Sequence, residues 1–159
     1  MSETPRHIVK LTLDEQSIAR RGPDVEHERR IAIFDLLEGN SFVPADAALQ
    51  PPFHLHLSMV EGRLVLDIRD TAEASLRQHI LSLTPFRRII KDYFDVCDSY
   101  HKAIKTASPS QIEAIDMGRR GLHNEGSEIL RERLAGKIEI DFDTSRRLFT
   151  LICALHFAG

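Results

Sequence analysis

Two alternating runs, Phe53-His-Leu-His-Leu-Ser-Met-Val60 and Arg63-Leu-Val-Leu-Asp-Ile-Arg69, are separated by only Glu61-Gly62. A period of two belongs to half-buried strands, and a two-residue connection ending in glycine closes a β-hairpin. The turn length then sets the register. Val60 stands opposite Arg63, which pairs Leu57 with Leu66 and Leu55 with Ile68 on one face, and His56 with Asp67 and His54 with Arg69 on the other. One face is continuous hydrocarbon, so the remainder of the chain must supply a cover for it.

The covering material reads as mostly helical. His7 to Leu13 alternates as a strand, with Val9, Leu11 and Leu13 on its apolar face. Pro23 suits a first helical position, and a helix over Asp24 to Glu38 stops at Gly39. Its Ile31-to-Leu37 half is apolar around most of its circumference, which predicts a sandwiched helix. After the hairpin the pattern predicts a helix over Ala72 to Leu83. A second follows, opened by Thr84-Pro85 and reaching Thr106, and then a third from Ser110 to Leu134, opened by Ser108-Pro109 and stopped by Gly136. A short strand is expected at Lys137 to Ile140. Asp143 is read as the cap of a last helix whose residues Leu148 to Phe157 are almost all apolar and should occupy the centre of the core. The expected fold is a single α+β domain: a small antiparallel sheet of three or four strands containing the hairpin, packed on one face by a C-terminal helical array.

The bulk composition narrows the function classes. The 159 residues carry a formal charge of -3, giving no general attraction to polyanions, so nucleic acid is not an expected partner. No apolar run approaches the length of a membrane span, and the first residues lack the apolar stretch of a signal peptide, which together point to a cytoplasmic protein. Cys97 and Cys153 lie on apolar helix faces without C-x-x-C spacing and read as reduced core residues.

One segment disobeys helix physics. Gly118-Arg-Arg-Gly-Leu-His-Asn-Glu-Gly126 lies inside the third helical pattern, and each interior glycine costs about 0.5–1 kcal/mol relative to alanine. Ile112, Ile115, Leu122, Ile129 and Leu130 form an apolar stripe, into which Arg119 and Gly126 fall, with His123 at its edge. Arg119, Arg120, His123, Asn124 and Glu125 form a set suited to anion recognition or proton transfer. The competing structural reading pairs Arg119 with Asp116 and uses the glycines for a close helix crossing. Arg146 and Arg147 occupy the first turn of the last helix, where the macrodipole disfavours positive charge, so either Asp141 and Asp143 neutralise them or an anion does.

Other chemistry finds less material. His54-x-His56 with Glu61 matches the first metal-binding box of cupins in spacing, but Glu61 is needed in the turn and no second histidine-bearing hairpin completes a ligand set. His56 paired with Asp67 on a solvated sheet face is the preferred reading, and no metal or cofactor is expected. Nucleophile elbows, phosphate loops and dinucleotide fingerprints are missing from the sequence.

Arg30-Ile-Ala-Ile-Phe-Asp-Leu-Leu-Glu38, the His54 hairpin, Gly118 to Gly126, and Ile138-Glu-Ile-Asp-Phe-Asp-Thr-Ser-Arg-Arg-Leu-Phe-Thr-Leu-Ile-Cys153 together resemble an uncharacterised family of small alphaproteobacterial proteins. The resemblance covers nearly the whole chain and implies a bacterial cytosolic protein, with no activity, cofactor or catalytic residue to carry over. The leading expectation is a binding or regulatory protein that recognises an anionic small molecule or an acidic protein segment through Arg119, Arg120, His123, Asn124, Glu125, Arg146 and Arg147. The alternative is an enzyme acting on a phosphorylated or carboxylated metabolite, with His123 as acid or base and Glu125 orienting it. A third reading is a homodimer whose glycine-bearing helices cross.

Overall fold

The hairpin forms in the register its turn demands. In the computed structural model, which describes residues 6–20 and 22–155, β3 (Phe53–Val60) and β4 (Arg63–Arg69) pair antiparallel with Val60 opposite Arg63 and Leu55 opposite Ile68. Glu61 and Gly62 take φ of 52° and 76°, the two left-handed residues of a type I′ turn, which suit the strand twist. Leu55, Leu57, Leu64, Leu66 and Ile68 are buried on one face. The other face carries a polar ladder, but His56 bonds Thr12, its Nδ1 lying 2.6 Å from Oγ1, rather than the opposing Asp67. Asp67 accepts from Arg69 and Ser75 instead, and His54 pairs with Glu73.

The sheet around the hairpin is mixed, not purely antiparallel. β1 (Ile8–Leu13) lies parallel to β3, and the sheet order is β1-β3-β4 followed by β5 (Ser75–Ser82). Parallel neighbours need a crossover, supplied here by α1 (Pro23–Glu38) and the short β2 (Phe42–Pro44). A bulge after Ile8 turns Ile8 itself, rather than Val9, into the core. The buried amide of Asn40 binds both backbone groups of Ile8 and the Leu36 carbonyl, tying β1 to the end of α1.

β5 overturns the expected helix over Ala72 to Leu83. The alanine, glutamate, leucine and glutamine of this stretch favour helix locally, but β4 would otherwise be left as an unpaired edge, and the ladder to β5 satisfies its backbone. The local signal for the turn is Asp70, whose Oδ1 accepts from the Ala72 and Ala74 amides. β2 was not foreseen either; it pairs antiparallel with β6 (Ile138–Ile140), the short strand that was expected.

α2 (Arg87–Thr106) follows one 3-10 turn at Thr84–Phe86, and α3 (Pro109–Leu134) opens on a capping box between Ser108 and Gln111. α3 is continuous through all three of its glycines and ends before Gly136 at a φ of 85°. α4 (Phe142–Leu155) is capped by Asp141 rather than Asp143, with the Thr144 amide 2.8 Å from Asp141 Oδ1. Leu148, Phe149, Leu151, Ile152, Cys153 and Ala154 are buried, as a central helix requires; Phe157 lies outside the described residues. The result is an α+β fold whose buried apolar residues, Val65 and Ala154 apart, form one cluster. α1 packs against α4 along Ala32 and Leu36 but is not sandwiched: Ile31 is 46% and Phe34 63% exposed, because among the described residues no element covers the far side of that helix.

The buried stripe of α3 is His123, Gly126, Ser127, Leu130 and Leu134, one step around the helix from the isoleucine and leucine stripe. α3 and α4 run antiparallel, and small residues let them approach. The Ser145 hydroxyl donates to the Ser127 carbonyl at 2.5 Å, and the Phe149 ring lies flush on Gly126, where any β-carbon would overlap it. Gly118 and Gly121, by contrast, have open space around them. Gly126→Ala should therefore destabilise the protein by about 1–3 kcal/mol through overpacking. Gly118→Ala and Gly121→Ala should each stabilise it by about 0.5–1 kcal/mol. Urea unfolding of the three variants checks this, and a neutral Gly126→Ala would refute the crossing as a tight contact.

Candidate functional site: an arginine-lined cleft

The antiparallel crossing brings together two copies of one pattern. α3 carries Asp116, Arg119, Arg120 and His123; α4 carries Asp143, Arg146, Arg147 and Thr150 at the same i, i+3, i+4, i+7 spacing. Such residues share one helix face. Those two faces, with Tyr93 from α2, line a cleft of about 440 Å³ containing Arg119, Arg120, His123, Asp143, Arg146, Arg147 and Thr150.

Three of the arginines are anchored. Arg119 pairs with Asp116 Oδ1 and stacks over the Tyr100 ring at 4.9 Å. Arg120 Nη2 lies 2.6 Å from Asp116 Oδ2. The bond from Arg119, then the nearby charge of Arg120, hold the Asp116 carboxyl below the usual carboxylate range. Arg147 Nη1 donates to the Gly39 carbonyl at 2.6 Å, joining α4 to the end of α1. Arg146 is exposed, and its guanidinium makes no hydrogen bond or ion pair among the described residues; neither Asp141 nor Asp143 neutralises it. With Asp116 and Asp143 set against four guanidinium groups, the site keeps an excess of two positive charges.

His123 is a wall of this cleft rather than a free proton carrier. It is 9% exposed, with its ring centroid 5.5 Å from Tyr93 and 5.3 Å, edge-on, from Phe149. Nε2 lies 2.7 Å from Thr150 Oγ1, and that hydroxyl donates to the Arg146 carbonyl at 2.9 Å. The hydroxyl has one proton, so its oxygen accepts from Nε2–H. The unprotonated Nδ1 is then buried without a partner among the described residues. Burial, helped by Arg146 and Arg119, lowers the His123 pKa to about 4, so the ring is neutral at pH 7.

Of the seven residues singled out in the sequence, five converge on the cleft. Asn124 and Glu125 do not: both are exposed on the outer side of α3, and Thr150 orients His123 where Glu125 was expected to. Tyr93 and Thr150 were missed, although the repeat Asp-x-x-Arg-Arg-x-x-His and Asp-x-x-Arg-Arg-x-x-Thr would have found Thr150. Both pairings offered by the structural reading, Arg119 with Asp116 and Gly126 at a close crossing, are present. Among the described residues no group of three His, Cys, Asp or Glu side chains is placed to hold a metal ion, and no helix is long and apolar enough to cross a membrane.

These features define a class: an α+β protein with a cationic cleft built on an antiparallel helix crossing. The chain belongs to the uncharacterised protein family UPF0262, whose model matches residues 5–158. It is similar to the UPF0262 protein of Azorhizobium caulinodans, 59% identical with all of both chains covered. It is also similar to that of Rhodopseudomonas palustris strain TIE-1, 60% identical over 99% of this chain and 96% of the relative. A third relative, from Bradyrhizobium sp. strain BTAi1, is 61% identical over 96% of this chain and 90% of its own. No solved structure matches the chain.

The buried imidazole has a measurable consequence. Its folded pKa of about 4 lies below the ordinary 6.5, so as pH falls the unfolded chain takes up this proton first. The neutral ring's contribution is complete above about pH 6.5 and is lost between 6.5 and 4, on the order of 3 kcal/mol in all. His123→Phe, which keeps the ring stack, should flatten that part of the stability curve in urea titrations run across this window. An unaltered slope would place the linked proton elsewhere.

Proposed function

We propose that this is a cytoplasmic, non-enzymatic binding protein for a small anionic ligand bearing a carboxylate or phosphate, held in the cleft between α3 and α4. The observation that carries this reading is Arg146. It extends over a cleft with an excess of positive charge, its guanidinium engaging no protein acceptor among the described residues, while its three neighbours are braced by Asp116 and Gly39. Guanidinium forks match carboxylate and phosphate oxygens, and bracing lowers the ordering cost of closing on them. His123 and Thr150 serve as a rigid neutral wall.

The enzyme reading has less support, because the one basic nitrogen of His123 is sealed inside the protein and Glu125 points away from it. The homodimer reading loses its strongest glycine, since Gly126 is taken up by Phe149 of the same chain. An acidic protein segment remains the second candidate occupant and would engage the same arginines.

Thermal unfolding with inorganic phosphate and with citrate tests the proposal. At a hundred times Kd, a ligand stabilises by about 2.7 kcal/mol, or a rise of roughly 5–10 °C in a chain of this size. Arg146→Ala should weaken binding about ten- to hundredfold without lowering the Tm of the free protein. No rise with either anion, or equal rises in wild type and variant, would overturn it.

A further inference from the structure

A second cleft adjoins the first. It is about 680 Å³, lies between α1 and α2 over the end of α4, and shares Tyr93, Arg119 and Thr150 with the arginine cleft. Its floor is apolar, made by Ala32, Cys97, Cys153 and the half-exposed Ile31. Its rim is acidic: Glu28, Asp35, Asp95 and Asp98 all line it. Asp98 pairs with Lys102, while Glu28, Asp35 and Asp95 make no ion pair among the described residues. Burial pushes the Cys153 thiol up to about 12 and raises Cys97 as well, so both sulfurs face the cleft as neutral, apolar groups.

The two clefts therefore adjoin at Tyr93, Arg119 and Thr150 and carry opposite charge, arginines lining one and carboxylates the other. Four guanidinium groups line the first cleft, while hydrocarbon, two thiols and four carboxylates line the second, together with His101. A field of this shape attracts a ligand with the reverse arrangement and repels one that is negative at both ends.

Resting on the anion-binding reading above, we propose that the ligand is an elongated zwitterion: an anionic head held by Arg119, Arg120 and Arg146, an aliphatic body over Ile31 and Cys97, and a cationic end among Asp35, Asp95 and Glu28. The arginine cleft alone would take any small anion. The adjoining trough selects for chain length and for the sign of the far end. Each methylene placed over the apolar floor should tighten binding by about two- to fourfold.

Isothermal titration at low ionic strength with acetate, octanoate, 8-aminooctanoate and octanedioate separates the possibilities. The expected order is 8-aminooctanoate tightest, then octanoate, then octanedioate, with acetate at least tenfold weaker than octanoate. In an Asp35→Asn, Asp95→Asn double variant, both substitutions being on exposed positions, 8-aminooctanoate and octanoate should bind within about twofold of each other. Arg146→Ala should weaken all four probes. If acetate and the three long probes bind alike and all depend on Arg146, the trough is unused and this proposal fails while anion binding stands. If octanedioate matches 8-aminooctanoate, the acidic rim does not act and the proposal likewise fails. If no probe binds, nor phosphate or citrate, both readings fail together.

Discussion

The contact between Gly126 and the Phe149 ring sets the spacing on which the rest of the site depends. Only a residue without a β-carbon lets α3 lie that close to α4, and the Ser145 to Ser127 bond locks the same crossing one turn away. The antiparallel sense follows from the short connection through β6. Given that spacing and sense, the Asp-x-x-Arg-Arg patterns of the two helices face a common cleft; with the helices a side chain further apart, they would be two unrelated surface clusters.

The same geometry explains why a histidine is tolerated near the core. Its ring packs between Tyr93 and Phe149, tilted to the first and edge-on to the second, and its one donated hydrogen bond goes to Thr150. Burial keeps it neutral beside two guanidinium groups, so it adds no charge to a site already rich in positive charge. Anchoring follows a similar economy. Asp116 serves Arg119 and Arg120 at once, and the Gly39 carbonyl at the end of α1 serves Arg147, leaving Arg146 as the cleft arginine whose guanidinium has no partner among the described residues.

Much of the architecture was legible from local rules. The Glu61-Gly62 turn dictated the hairpin register residue by residue, Pro23 and Ser108-Pro109 marked helix starts, and the apolar run from Leu148 identified the central helix. The failures share a cause. β5 has helix-forming residues but pairs because β4 needs a partner, β1 is parallel because α1 intervenes, and Ile31 and Phe34 remain exposed because no other element among the described residues covers their side of α1. Each outcome depends on what the neighbouring element requires, a quantity that propensity and periodicity do not contain.

For the site, the division is equally physical. The sequence by itself determined that charge and glycine were concentrated around residue 120 against the preference of a helix, that arginines stood in the unfavourable first turn of the last helix, and that these placements needed a compensating partner. Only the tertiary structure decided which of those residues meet. The choice depends on helix rotation: about 100° per residue separates Asn124 and Glu125, turned to solvent, from His123, turned to Thr150. That rotation is set by how Phe149 seats on Gly126, a contact between residues that chain order alone does not bring together.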